Sequence, residues 1–365
     1  MEYKSLYELM NLELKKMNLP KELSDLSNFI SDDKKALNFI KYMVKDIGFD
    51  ETQELAQSRA IHSVINFLMG KVFQNFESIY LMLNIKTNYK NDKINDKLWL
   101  YTTLYHDYGY FTTFINDSKS EIDKLVKYNV LDDIYNDSKL SSLNFFKSRY
   151  PDFFHNTYEE IENYYRYSQY HHSISGSDEK VDHGILGGAL VFDRIVKNNI
   201  NTKSDLTFLK MACITICQHN IFKSPNAKSD LKYKEYNLNR LCHDEPYFIT
   251  KKTPLLLFLS LIDTIECTKR FGKRRNANKF LHSVTVLKNI LINVSRNSIS
   301  LDFSLLKKKS EEKGEKFYSN CYKKYIKSLI NISQWTQFDA NIEKDIITIT
   351  LKPINSINSS NYHIA

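Results

Sequence analysis

Residues 98–111, LWLYTTLYHDYGYF, set a titratable His106 and a charged Asp107 directly after an apolar run with the look of a buried helix. A buried carboxylate costs several kcal/mol unless it is paired or bound to a cation. The pair is therefore either an accident at a helix end or part of a site that awaits something positive. Which of the two holds depends on whether other helices carry similar anomalies.

The surrounding chain is helical for most of its length. SLYELMNLELKKM (5–17), KKALNFIKYMVKDIGF (34–49), AIHSVINFLMGKVFQNFESIYLML (60–83) and DLTFLKMACITICQHNIF (205–222) carry apolar residues at helical spacing. GILGGALVFDRIVKN (184–198) does so behind a glycine-rich start. TPLLLFLSLIDTIECTKRFG (253–272) reads as one helix, with Thr253 as N-cap, Pro254 in the first turn and Gly272 as the stop. Nine Gly and six Pro leave few turn signals for a many-stranded protein. The stretch from about 112 to 180, rich in Tyr, Asn and Ser, reads as a long insertion with helical pieces. Near the end the period changes. NSISLDFSLL (297–306) and KDIITITLKP (344–353) alternate like strands, with a helix in EKFYSNCYKKYIKSLINI (315–332) between them. The expected architecture is mainly α: a helical segment at 1–54, a helical core at 55–287 and a small α+β appendage at 288–365.

Composition narrows the setting. A chain of 365 residues can hold one large domain with an appendage. The net charge of +8 invites a nucleic-acid or phosphate ligand. The basic residues are scattered, however, and the whole chain is heavy in Lys, Asn, Ile and Tyr, so Lys as a default surface residue accounts for the charge. The five cysteines are odd in number and form no C-x-x-C. That argues against a disulfide framework or zinc ribbon and fits a reducing cytoplasm. No signal-peptide pattern opens the chain, and its longest apolar run, PLLLFLSLI (254–262), is too short to span a bilayer. The expectation is a cytoplasmic protein with no membrane partner.

His62 in SRAIHSVINFL, His183 at the head of a helix in DHGILGG, His219 after TICQ and Asp263 in LLLFLSLIDTIE are further polar residues at apolar-helix positions. Any one histidine alone reads as a hydrogen-bonded core residue. Asp263 is harder to dismiss, because an unpaired buried carboxylate is rare. Several such anomalies in separate helices favour convergence on a cation.

The ordered series His62, His106–Asp107, His183, His219 and Asp263 resembles the HD superfamily of metal-dependent phosphohydrolases, over about residues 55–275. HDYGY is similar to the family's HD-x-G-x variant, and LSLIDTIE to its last metal-binding helix. The resemblance implies an HD-type helical bundle. It implies one or two divalent ions (Mn, Fe, Ni, Co, Mg or Zn) held by His62, His106, Asp107 and Asp263, with Asp107 bridging to a second ion on His183 and His219. Two such ions can share a hydroxide and clamp a phosphoryl oxygen. The family's HD-GYP branch has Lys where this chain has Tyr110, and its GYP signature is missing after His219. That argues against the cyclic dinucleotide cleaved by that branch.

The substrate expected is a phosphate-containing small molecule or short nucleic acid. Two-metal phosphodiester hydrolysis of a nucleotide-type substrate, cyclic or oligomeric, is favoured. The alternatives are a one-metal nucleotide or deoxynucleotide phosphohydrolase and a nucleotide-binding signalling or defence module with a degenerate site. Lys269 and Arg270, in the basic run KRFGKRR (269–275), are candidates to bind phosphate. Arg270 is seven residues past Asp263 and so is expected on the same helix face, about two turns away. Tyr110 and His172 are candidates for catalytic roles, the latter as a proton donor beside the SISGSD loop (173–178). His243–Asp244, a second HD dipeptide in a turn context, reads as coincidence. Gly184, Gly187 and Gly188 match no nucleotide-binding glycine motif and read as close helix packing near His183.

Overall fold

The computed structural model describes residues 4–45, 59–75, 92–107, 109, 158–175, 182–185, 187–188, 191–192, 203–220, 231–238, 254–271, 282–295, 298–315, 317–333 and 338–351. These residues form a mainly α structure with one small antiparallel sheet.

The chain opens with a two-residue strand, β1 (Lys4–Ser5), that runs into α1 (Leu6–Lys16). Ser5 and Glu8 close a reciprocal capping box there. A single 3₁₀ turn, Lys21–Leu23, precedes α2 (Leu26–Ile30) and α3 (Asp33–Met43). Both of these helices start on aspartate caps, Asp25 accepting from Ser27 N and Asp32 from Lys34 N. Four helices then build the core: α4 (Ala60–Gln74), α5 (Asp92–Tyr105), α7 (Lys203–Gln218) and α9 (Pro254–Ile265), with α6 (Tyr158–Ser175) and the short α8 (Leu231–Glu235) between them. Helix α4 is buried on nearly every side and packs against α1, α2, α3, α5 and α9. A helix apolar all round belongs in the interior, and α4 is the hub of the bundle.

The sequence reading of 253–272 as one helix is corrected. Helix α9 ends at Ile265, and a separate α10 (Thr268–Phe271) follows. The cause is Glu266, whose carboxylate accepts from Thr268 N and from the Thr268 hydroxyl. A side chain that captures the backbone in this way competes with helix continuation. Arg270 is therefore not on the face of Asp263, and its guanidinium donates to Ser328 Oγ at 2.5 Å.

After α11 (Ser283–Lys288), strands β2 (Leu291–Val294) and β3 (Ser298–Asp302), helices α12 (Ser304–Glu312) and α13 (Phe317–Ser333), and strands β4 (Phe338–Glu343) and β5 (Ile346–Leu351) complete the fold. All neighbours in the sheet are antiparallel, in the order β1-β2-β3-β5-β4. Ile299, Leu301, Ile347 and Ile349 point into the core, whereas Ser300 and Thr348 pair hydroxyls at 3.0 Å on the opposite face. The strand expected through Leu306 stops at Asp302, whose carboxylate accepts from Ser304 N and starts α12. Residues from the expected N-terminal segment and C-terminal appendage meet in this one sheet, since Lys4 and Ser5 lie opposite Ile292 and Leu291. Helix α13 ties the sheet to the bundle: the buried Tyr325 hydroxyl donates to Ile265 O at 2.7 Å, at the end of α9. No described helix is long and apolar enough to cross a membrane.

Candidate metal centre

The elements that carry the anomalous residues converge. His62 comes from the first turn of α4, His106 and Asp107 from the end of α5, His183 from a helical turn at 183–185, His219 from just past α7, and Asp263 from the last turn of α9. His106 and His219 are fully inaccessible, and the other four are at most 6% exposed. They form two groups of potential ligands, His62 with His106 and Asp263, and Asp107 with His183 and His219. Within each group the ligand atoms lie within 4.8 Å of one another.

Second partners orient the rings. His62 Nδ1 donates to Glu266 Oε2 at 2.7 Å, His106 Nδ1 to Thr103 O at 2.7 Å and His219 Nδ1 to Ile216 O at 2.6 Å. A carbonyl can only accept, so the Nδ1 protons of His106 and His219 are placed by their partners, and the Nε2 atoms face the site. His183 is set by its neighbours. Asp182 Oδ1 accepts from Gly184 N at 2.8 Å and so starts the turn. Tyr164 OH and Asn220 Nδ2 donate to Asp182 in turn. The glycines after His183 allow close approach, as expected. A Cβ at Gly184 would lie 2.8 Å from the His219 ring, and one at Gly188 would lie 2.4 Å from Cys213 O.

In the first group His62 Nε2 is 2.9 Å from Asp263 Oδ1 and 3.2 Å from His106 Nε2, and His106 Nε2 is 3.5 Å from Asp263 Oδ1. A point equidistant from three atoms so spaced lies about 1.9 Å from each, close to ordinary metal–nitrogen and metal–oxygen lengths. The residues present therefore fit a divalent ion. Asp107 stands between the groups. Its Oδ2 is 3.5 Å from His62 Nε2, and its Oδ1 is 3.5 Å from His183 Nε2 and 3.6 Å from His106 Nε2.

The electrostatics agree. Burial opposes ionisation of Asp107, but His106, His183 and His62 outweigh it and hold the carboxyl well below its ordinary range. Burial likewise opposes charging of Glu266, yet the His62 bond keeps its pKa low. For His62, burial and the Lys269 charge disfavour the proton. The bonds to Asp263 and Glu266 prevail, and its pKa is raised. A site that holds a proton this way also attracts a metal cation in its place.

Through His62 the first group borders a cleft of about 540 Å³, also lined by Arg59, Thr268, Lys269, His282 and Ser283 and by the start of α3. Arg59 Nη1 is 4.0 Å from Asp107 Oδ2, and Lys269 Nζ is 3.0 Å from Asp263 Oδ1. Of the substrate-binding candidates, the cleft thus includes Lys269, while Arg270 is turned toward α13. His172 is on helix α6, which continues through Ser175 where a loop was expected. Tyr110, Lys273, Arg274, Arg275, His243, Asp244 and the insertion residues 112–157 lie outside the described residues.

Sequence reasoning passed over Glu266, Asn66, Asp182, Asn220 and Arg59. Three of them stand beside predicted ligands, Glu266 three residues past Asp263, Asn66 one turn past His62 and Asp182 directly before His183, but position alone assigns none of them a role. Compared with protein-family models, curated proteins and solved structures, the chain matches none.

Proposed function

We propose that this chain is a metal-dependent phosphohydrolase of the HD type, with hydrolysis of a phosphodiester in a nucleotide-like substrate as its chemistry. The observation that supports this reading is the meeting of two buried ligand groups around a shared Asp107. Divalent ions bound there supply Lewis acidity toward a phosphoryl oxygen and an activated water.

The chain's own residues divide the remaining work. His62, His106 and Asp263 would hold one ion and His183 and His219 the other, with Asp107 available to both. Glu266 fixes the His62 ring, and Asp182 fixes the turn that carries His183. Arg59 and Lys269 stand on the cleft side with their charges toward the site, where phosphate oxygens arrive. Burial of the ligands keeps bulk water from competing for their lone pairs.

The test is a screen of bis-p-nitrophenyl phosphate, cyclic nucleotides and short oligonucleotides, each with Mn²⁺, Mg²⁺, Fe²⁺, Co²⁺, Ni²⁺ and Zn²⁺. Wild type is expected to turn over at least one phosphodiester. Asp107→Ala is expected to stay folded and lose at least about a thousandfold in rate, the scale on which whole catalytic groups act. Full activity in that variant would remove the site from the reaction. Turnover confined to phosphomonoesters or nucleoside triphosphates, with one ion per chain, would replace the two-metal reading by the one-metal one. Nucleotide binding without turnover under every metal would replace the enzyme by a binding module.

A further inference from the structure

Asn66 lies on α4 one turn beyond His62, and its side chain is completely buried. Its amide nitrogen is 3.3 Å from His62 Nε2, 3.3 Å from His106 Nε2 and 3.3 Å from Asp263 Oδ1. Equal distances to all three place the carboxamide on the axis of the first ligand triangle, about 2.7 Å above its plane, within reach of an ion seated near that plane. The other end of the group, Asn66 Oδ1, is buried without a hydrogen-bond partner among the described residues. Buried amides rarely leave one end unmet. An amide that does so is positioned for its other end.

That end faces the atoms that would grip a cation. With no ion between them, Asp263 Oδ1 and His106 Nε2 are acceptors, and an NH₂ group is the favourable occupant. With an ion in place their lone pairs are committed to it, and an NH₂ pointing at a cation is repelled. Half a turn of the carboxamide exchanges nitrogen for oxygen at nearly constant shape.

We infer that Asn66 is a further ligand of the first group, offering its carboxamide oxygen to the divalent ion. The inference rests on the metal reading proposed above. In the metal-free chain Asn66 donates to Asp263 Oδ1 and His106 Nε2, and on loading it turns and coordinates. The resulting set of imidazoles, carboxylates and a neutral carbonyl oxygen exceeds four donors once Asp107 is counted. It therefore favours six-coordinate Mn²⁺, Fe²⁺ or Co²⁺ over tetrahedral Zn²⁺.

The experiment is Mn²⁺ binding to the metal-free full chain by titration calorimetry, with thermal melts before and after loading, for wild type, Asn66→Ala and Asn66→Asp. Asn66→Ala is expected to weaken one Mn²⁺ equivalent at least about tenfold and leave the other unchanged. Asn66→Asp is the deciding variant. A carboxylate facing Asp263 lowers the metal-free melting temperature, but as a charged ligand it tightens Mn²⁺ and enlarges the metal-induced rise in melting temperature. If Asn66 serves only as a donor, Asp weakens both states, and that result overturns the inference. Unchanged Mn²⁺ affinity in both variants also overturns it while leaving the metal site standing. Wild type that binds no Mn²⁺ overturns the inference and the metal reading together.

Discussion

The two ligand groups are similar in residue type and different in support. In the first, His62 leans on a buried carboxylate, Glu266, which Thr268 and Lys269 N also bind. In the second, His219 leans on the neutral backbone oxygen of Ile216, and His183 depends on a turn started by Asp182. An imidazole hydrogen-bonded to a carboxylate is a stronger base and a stronger ligand than one bonded to a carbonyl. In the metal-centre reading, the first group's support favours affinity, and the second's favours placement through close backbone packing. The first ion should accordingly be held tightly and the second exchange more easily.

The largest expected effect separates the groups by counting ions. Asp263→Ala should remove the tightly held ion, and His219→Ala only the weaker one, as read by metal analysis after gel filtration in Mn²⁺. Loss of both ions from either single variant would mean that the groups act as one site. The next effect tests the source of the difference. Glu266→Gln keeps shape and removes charge, and is expected to weaken the first ion about 10–100-fold with the second unaffected. It should also change a pH dependence. In the metal-free chain the raised pKa of His62 makes a stabilising contribution that is complete below the unfolded value, about 6.5, and is lost as pH rises through the folded value. The Gln variant should lose part of that slope in melts between about pH 6 and pH 8. An unaltered slope would show that Asp263 alone holds the proton.

How far the site was legible follows from the same comparison. The convergence of the six candidate ligands could be read because each is a polar residue set in an apolar helix, and their order along the chain is an additional constraint. Their supports could not. Glu266 looks like the polar end of a helix until the break at 266–267 turns it inward to His62. Asn66 is neutral, and a neutral amide in a helix raises no electrostatic alarm. Asp182 and Asn220 act through partners 38 residues apart, a contact that no local pattern carries. Arg270 was misplaced because the periodicity argument assumed an unbroken helix. In the sheet, the alternation in SISLD and IITITL marked β3 and β5. Strand β1 is two residues long and has no period to read. Its place beside β2 is marked by Leu6 N donating to Ile290 O, a contact between residues far apart in the sequence. That the chain is mainly α was therefore legible, and that its first residues complete the C-terminal sheet was not.

The smallest expected effect probes the claim that the second group is placed by packing. A methyl at Gly184 would fall 2.8 Å from both the His219 ring and Ile216 O, the atom that anchors that ring. Real Cβ atoms do not tolerate such contacts, so either the 183–185 turn or the end of α7 must move. Gly184→Ala should cost roughly 1–3 kcal/mol of stability, the range for overpacking a tight core. It should weaken the second ion while the first, whose ligands sit on α4, α5 and α9, keeps its affinity. Gly314→Ala is the matched control. A Cβ there meets nothing within 4 Å, but the residue has a φ of +69°, a conformation that glycine adopts and alanine resists. Its cost, about 1 kcal/mol, should appear in the melting temperature with both ions retained. If the two alanine variants lose stability alike and neither changes the second ion, backbone packing at Gly184 does not position His219, and the two groups differ only in charge.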